Sequence, residues 1–183
     1  MAERYELRFS GAGGQGLITA GIILAEAASI IENKYAVQSQ SYGPEARGGA
    51  SKSEVIISEE PIDYPKATVV DACLAMTQEA ADKYAVGIKP GGLLLVDSDF
   101  VKNPPQGDYK VYDMPIMRTA KEEVGREIVA NVIALGAMIA LTDVVKRESG
   151  EKAVLAKVPE AFIDLNKKAY NIGFEKVKDL LEK

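Results

Sequence analysis

Residues 5–31 constrain the fold more tightly than any other stretch of the chain. Tyr5-Glu6-Leu7-Arg8-Phe9-Ser10 alternates polar and apolar side chains and predicts a first strand. Gly11-Ala12-Gly13-Gly14-Gln15-Gly16 follows at once. Residues 17–31 then carry Leu, Ile and Ala densely enough for a buried helix. A strand, a glycine turn and a helix in that order open a βαβ unit, and such units build sheets with helices on their faces.

The rest of the chain repeats the alternation. A second strand is expected at 35–41, then a loop rich in glycine, Tyr42-Gly43-Pro44-Glu45-Ala46-Arg47-Gly48-Gly49. Ser53–Ser58 reads as a strand that can run antiparallel at an edge. Residues 68–76 form a near-continuous apolar run, the pattern of a strand covered on both faces. Thr77 is placed to cap a helix over 78–86. Pro90-Gly91-Gly92 reads as a turn before a strand at 93–97, and a short strand fits 109–112. Helices fit 117–125 and 128–146, the second with Ile128, Val132, Leu135 and Ile139 on one stripe and Ala134, Gly136, Ala137 and Ala140 beside it. Two amphipathic helices are expected in 150–183. The fold class is therefore α/β: three layers, a mainly parallel sheet flanked by helices, with a Rossmann-like start. At about 150 residues per domain, 183 residues predict a single domain.

Composition narrows the chemistry. The chain has no His, no Trp and one Cys. Without His there is no Ser-His or Cys-His nucleophile pair. One Cys cannot supply an Fe–S cluster, an internal disulfide or a Cys/His zinc site. No catalytic or metal-ligating residue is assigned. The formal charge of −5, with no basic run, argues against nucleic acid. The start lacks the cationic and apolar blocks of a signal peptide, and no window of about 18 apolar residues spans a membrane, so a cytoplasmic location is expected.

Gly11, Gly13 and Gly16 match the spacing of a dinucleotide fingerprint. Glycine lets the chain turn tightly and lets an anion approach the backbone, and a helix start offers free N–H groups. A tight strand-to-helix crossing needs glycine in any case, so both readings stand. An NAD site also wants an acid at the end of the second strand. That stretch here is Gln38-Ser39-Gln40-Ser41, which demotes a stand-alone nucleotide-binding oxidoreductase to the alternative. Arg47, flanked by glycines, suits a phosphate; it equally suits an exposed pair with Glu45. If the second strand lies beside the first, this loop opens near the glycine turn. Cys73 reads as a small buried hydrophobe. Asp71 and Asp97, in or ending apolar strands, either face a ligand or satisfy loop N–H groups. The tail lysines, interleaved with acids, read as a solvated face.

Taken together, Gly11-Ala12-Gly13-Gly14-Gln15-Gly16, Ser41–Gly49 and Asn131-Val132-Ile133-Ala134-Leu135-Gly136-Ala137 resemble the gamma subunit of 2-oxoacid:ferredoxin oxidoreductases over roughly the whole chain. The resemblance implies a complex that converts a 2-oxoacid and coenzyme A to an acyl-CoA and CO2 while reducing ferredoxin. It implies thiamine diphosphate and Fe–S clusters on alpha, beta and delta partner subunits, with none bound by this chain alone. It implies that Gly11, Gly13, Gly14, Gln15, Gly16, Glu45, Arg47, Gly48 and Gly49 contribute to a coenzyme A entrance, or to a purely structural scaffold. A compact gamma chain without a cluster-binding extension points to 2-oxoglutarate among the substrates. The small-residue helix at 131–140 and the tail helices are expected to bury contacts with partners or with a second copy. The purified chain, supplied with thiamine diphosphate, should reduce no dye acceptor with any 2-oxoacid; turnover in that spectrophotometric assay would refute the subunit reading.

Overall fold

The protein, described over residues 4–41 and 49–181 in a computed structural model, is built around one six-stranded sheet. The strands are β1 (Arg4–Ala12), β2 (Tyr35–Ser41), β3 (Ala50–Ser58), β4 (Val70–Ala75), β5 (Ile88–Asp97) and β6 (Lys110–Met114). Their order is β2-β3-β1-β4-β5-β6. The strands β1, β4, β5 and β6 are mutually parallel, and β3 runs antiparallel to both β1 and β2. The three-layer, mainly parallel reading holds, with two corrections of position. β3 is interior rather than an edge, and it separates β2 from β1. Glu54 lies opposite Arg8 in the register, and the two pair at 2.8 Å while almost fully buried. A buried charge is tolerated when it is paired in this way.

The helices are α1 (Leu17–Glu26), α2 (Gln78–Tyr84), α3 (Ile116–Thr119), α4 (Ala130–Thr142), α5 (Arg147–Lys157) and α6 (Ile163–Leu181). A π-helical turn at Ala27–Ile31 continues α1, so the expected run of 17–31 is accounted for. Thr77 does cap α2: its side chain accepts from the Ala80 N–H at 3.2 Å. One sheet face, with Leu7, Phe9, Leu74 and Leu95, packs against α1 and α4, and α3, α5 and α6 extend the same apolar cluster outward from them. The other, with Cys73, Ala75, Leu94 and Val96, packs against α2 and Val101.

Two more expectations change. Pro90-Gly91-Gly92 is not a separate turn but an irregularity inside β5, where the register with β4 shifts between Val70 and Ala72. The expected helix 128–146 is shorter. Asp143 ends α4 in the left-handed region at φ 50°, and Ile128 precedes the helix and is 82 % exposed. Within α4 every residue from Val132 to Ile139 is buried, so the helix is enclosed on all sides rather than striped.

The small residues of α4 meet α6 within the chain. A Cβ at Gly136 would fall on the Tyr170 carbonyl, and one at Gly173 would fall on the Ile133 carbonyl. The two backbones are in direct contact, and no side chain can yield to a new methyl. Helix propensity favours Gly173→Ala by about 1 kcal/mol. Overpacking costs about 1–3 kcal/mol and should prevail. Gly173→Ala should therefore lower the unfolding temperature by several degrees in a thermal melt; an unchanged or raised midpoint would show that the helices can part freely.

Candidate functional site

Four parallel strands deliver their carboxyl ends to one edge of the sheet, the edge where open α/β folds hold ligands. The glycine turn lies there. Gln15 Oε1 accepts from the Ala12 N–H at 2.8 Å, and the Gln15 N–H donates to the Ala12 carbonyl at 3.3 Å. The turn thus closes on itself through Gln15. Gly11 lies beneath it without room for a side chain: a Cβ there would stand 2.6 Å from Leu17 Cδ1 and 3.0 Å from Met76 Cβ. Gly14 and Gly16 have φ of 86° and 75°, which glycine adopts freely and L-residues resist. Gly13 is different. Among the described residues nothing lies within 4 Å of a Cβ built on it, and its φ is not positive.

Gly16 is the N-cap of α1 and supplies no capping side chain, and the first turn of α1 carries no acid. The start of α4 continues from a 3-10 turn at Glu127–Val129, in which the Ala130 N–H donates to the Glu127 carbonyl. The two starts meet, because Asn131 Nδ2 donates to the Gly16 carbonyl at 3.1 Å. The orphan N–H groups and positive dipole end of α1 lie at this corner. A cavity of 270 Å³ opens beside the turn, lined by Ala12, Gly13, Gly14, Gly16, Leu17, Ile18 and Ser51. A second, more apolar cavity of 350 Å³ is lined by Asn131 together with Ile128, Val132 and Phe162.

Glu45, Arg47 and Gly48 lie outside the described residues; Gly49 lies within them. The ends of that segment are fixed. Ala50 pairs with Ala12 in the β1–β3 register, so the chain re-enters the sheet beside the glycine turn. Ala50 is held from α2: its N–H donates to Glu79 at 3.3 Å, and Tyr84 Oη donates to its carbonyl at 3.0 Å. The loop's return is near the turn because β3, not β2, adjoins β1. The same topology removes the NAD geometry, since the end of β2 is one strand further away and Gln38 donates to Ser53 Oγ.

The remaining candidates are structural. Asp97 is fully buried and accepts from the Asp99 N–H at 2.9 Å and the Met117 N–H at 2.8 Å. Burial raises its pKa, and those two N–H groups oppose the rise. Asp71 lies near the start of β4, away from the ligand edge, where it accepts from the Glu6 N–H at 2.7 Å and pairs with Lys89. Cys73 is buried, and burial pushes its thiol up to about 12, which makes it inert. Sequence reasoning gave Asn131 no role in the turn. Its one signal was an amide at the head of an apolar helix of small residues.

The profile of the pyruvate ferredoxin/flavodoxin oxidoreductase family matches residues 6–176. The chain belongs to this family. It is 51 % identical over 179 residues to the 2-oxoglutarate synthase subunit KorC of Methanocaldococcus jannaschii, covering 97 % of this chain and 96 % of that one. A keto/oxoacid ferredoxin oxidoreductase gamma subunit from Geobacter sulfurreducens superimposes with a TM-score of 0.91 at 64 % identity, covering 97 % and 98 % of the two chains. The fold also recurs in a 2-oxoglutarate:ferredoxin oxidoreductase from Magnetococcus marinus, at a TM-score of 0.83 and 24 % identity, where it spans 31 % of a longer chain. The chain is thus a gamma subunit of a 2-oxoacid:ferredoxin oxidoreductase, an oxidoreductase component rather than a stand-alone dehydrogenase. Among the described residues no helix is long and apolar enough to cross a membrane.

The turn geometry separates its glycines experimentally. Gly16→Ala meets both the left-handed backbone and Asn131 Nδ2, 2.6 Å from the new Cβ. It should cost about 1–3 kcal/mol. Gly13→Ala should stay within about 0.5 kcal/mol of the parent, as for a surface site. Equal losses for the two in denaturant unfolding would contradict this assignment.

Proposed function

We propose that residues 1–183 act as one gamma-type domain in a complex that oxidises 2-oxoglutarate, with the glycine turn forming part of the coenzyme A entrance. The substrate preference rests on identity to 2-oxoglutarate synthase subunits of several archaea, at 51 %, 44 % and 38 %. In this reading the complex also holds alpha, beta and delta subunits. Those subunits carry thiamine diphosphate and the Fe–S clusters, and pass electrons to ferredoxin. This chain's single Cys is buried in β4, and it has no His. Its donors therefore do not fit a cluster, and no redox step is assigned to it.

One observation carries the entrance reading: among the described residues Gly13 needs no glycine for space, and its φ needs none either, although its neighbours do. A glycine to which the described residues give no structural reason, beside the uncapped start of α1, fits the close approach of an anionic group such as a coenzyme A phosphate. Gly11, Gly14, Gln15 and Gly16 shape the turn, and Gly13 leaves it open. Glu45, Arg47, Gly48 and Gly49 belong to the segment that returns to the sheet beside it, and Arg47 supplies a guanidinium for the same phosphate. A scaffold role is favoured by a different feature. Ile128 is 82 % exposed and Phe162 48 % exposed in the cavity that includes Asn131, as apolar surface that a neighbouring subunit would cover.

An Arg–phosphate hydrogen bond is worth about 1.5–3 kcal/mol, or roughly 10- to 150-fold in affinity. In the assembled complex, Arg47→Ala should raise the KM for coenzyme A within that range, and rising salt should narrow the difference between parent and variant. Gly13→Val should raise it as well, by blocking the approach and not by unfolding the turn. If Arg47→Ala dissociates the subunits and leaves coenzyme A dependence intact, the segment is an interface element and the scaffold reading holds.

A further inference from the structure

We propose that the β2 edge of the sheet is an interface for a second copy of this chain, so that two six-stranded sheets join as one across a two-fold axis. β2 ends the sheet and, among the described residues, has β3 as its one neighbouring strand. In an edge strand alternate residues turn their N–H and C=O groups away from the sheet. Proteins blunt such an edge with charge, proline, a bulge or a short strand. β2 uses none of these. Tyr35-Ala36-Val37-Gln38-Ser39-Gln40-Ser41 is seven residues without a charge or a proline. Its register with β3 runs from Tyr35 opposite Ser58 to Ser41 opposite Lys52 with no shift. The other edge differs: β6 is five residues long and carries Lys110 and Asp113.

The chemistry of this edge fits a second copy. The chain carries a net charge of −5, so two copies approach most readily where charge is absent. β2 paired antiparallel with itself sets no like charges opposite one another in any register. Lys34, just before the strand, is already paired with Glu32 at 3.2 Å and Glu59 at 3.6 Å. Exposed apolar groups stand on both sides of the edge. Ala36 lies opposite Ile57, on the sheet face that α1 covers, and the π-helical turn after α1 also packs on β2. Ile30 in that turn is 71 % exposed. Tyr35 alternates to the opposite face and is 49 % exposed. A two-fold interface presents the same patch from each copy. An axis perpendicular to the sheet keeps like faces together, so the Ile30 sides of both copies fall on one face and the Tyr35 sides on the other.

Sedimentation velocity of the purified full chain over a concentration series tests this. A dimer is expected, and hydrogen exchange of peptides spanning 35–41 should slow as the dimer forms. Ser39→Lys and Tyr35→Lys each put a charge on the edge that pairing must desolvate. Each should raise the dimer Kd by at least about tenfold. A thermal melt shows whether each variant keeps the fold. If one does not, the other decides; if neither does, hydrogen exchange of the parent decides. A parent that stays monomeric at every concentration overturns the proposal. So does a dimer that both lysine variants leave intact, or a segment 35–41 that exchanges at one rate in monomer and dimer. If the parent is monomeric alone and Ser39→Lys is excluded from the assembled complex, an unlike subunit takes the edge and the assignment to a second copy fails.

Discussion

The chain passes from β1 into α1 because Gly11 has no side chain. Gln15, Leu17 and Met76 close over its α-carbon, and a Cβ would displace the Gln15 and Leu17 side chains that pack there. Much follows from that one close approach. It lets Gln15 fold back onto the Ala12 N–H, brings the start of α1 down onto the carboxyl end of the sheet, and places Gly16 against Asn131. The meeting of two helix starts is a consequence of packing, and the open corner beside Gly13 is what that packing leaves.

A second constraint works between α4 and α6. Gly136 and Gly173 let α4 and α6 touch backbone to backbone, which buries α4 between the sheet and the tail helix. The small-residue helix, which on sequence grounds was a candidate for contact with a partner, is used inside the chain. Exposed apolar side chains include Ile128 and Phe162, which share a cavity with Asn131, the residue that reaches Gly16. The face a neighbouring subunit would cover thus adjoins the corner where an anion would enter.

Local signals in the sequence translated well into structure. Thr77, followed by Gln78 and Glu79, predicted a capped helix, and the cap forms because a hydroxyl at that position reaches the N–H three residues on. The apolar run at 68–76 predicted a strand covered on both faces, and β4 lies in the middle of the sheet. The errors arose where pairing across long separations decides. Glu54 resembles an edge residue until Arg8 is placed opposite it. Pro90-Gly91-Gly92 resembles a turn until the shifted register of β4 and β5 absorbs it. Asp143 ends α4 with no glycine to announce it. The site was legible as a glycine turn, and the distinct status of Gly13 was not, because spacing alone cannot tell a glycine that needs room from one that provides it. Asn131 was invisible as a turn residue for a similar reason: its partner is a backbone carbonyl 115 residues away.

The central claim is that the backbone between Gly13 and Ile18 faces coenzyme A in the assembled complex. Hydrogen–deuterium exchange of that complex, with and without coenzyme A, addresses it directly. Orphan N–H groups at a helix start exchange readily when nothing accepts from them, and an anion seated on them slows exchange. The account predicts that peptides spanning 12–18 gain protection on addition of coenzyme A. Those of α6, on the far side of α4, should not change. Protection confined to other subunits, with residues 12–18 exchanging at the same rate in both states, would contradict it.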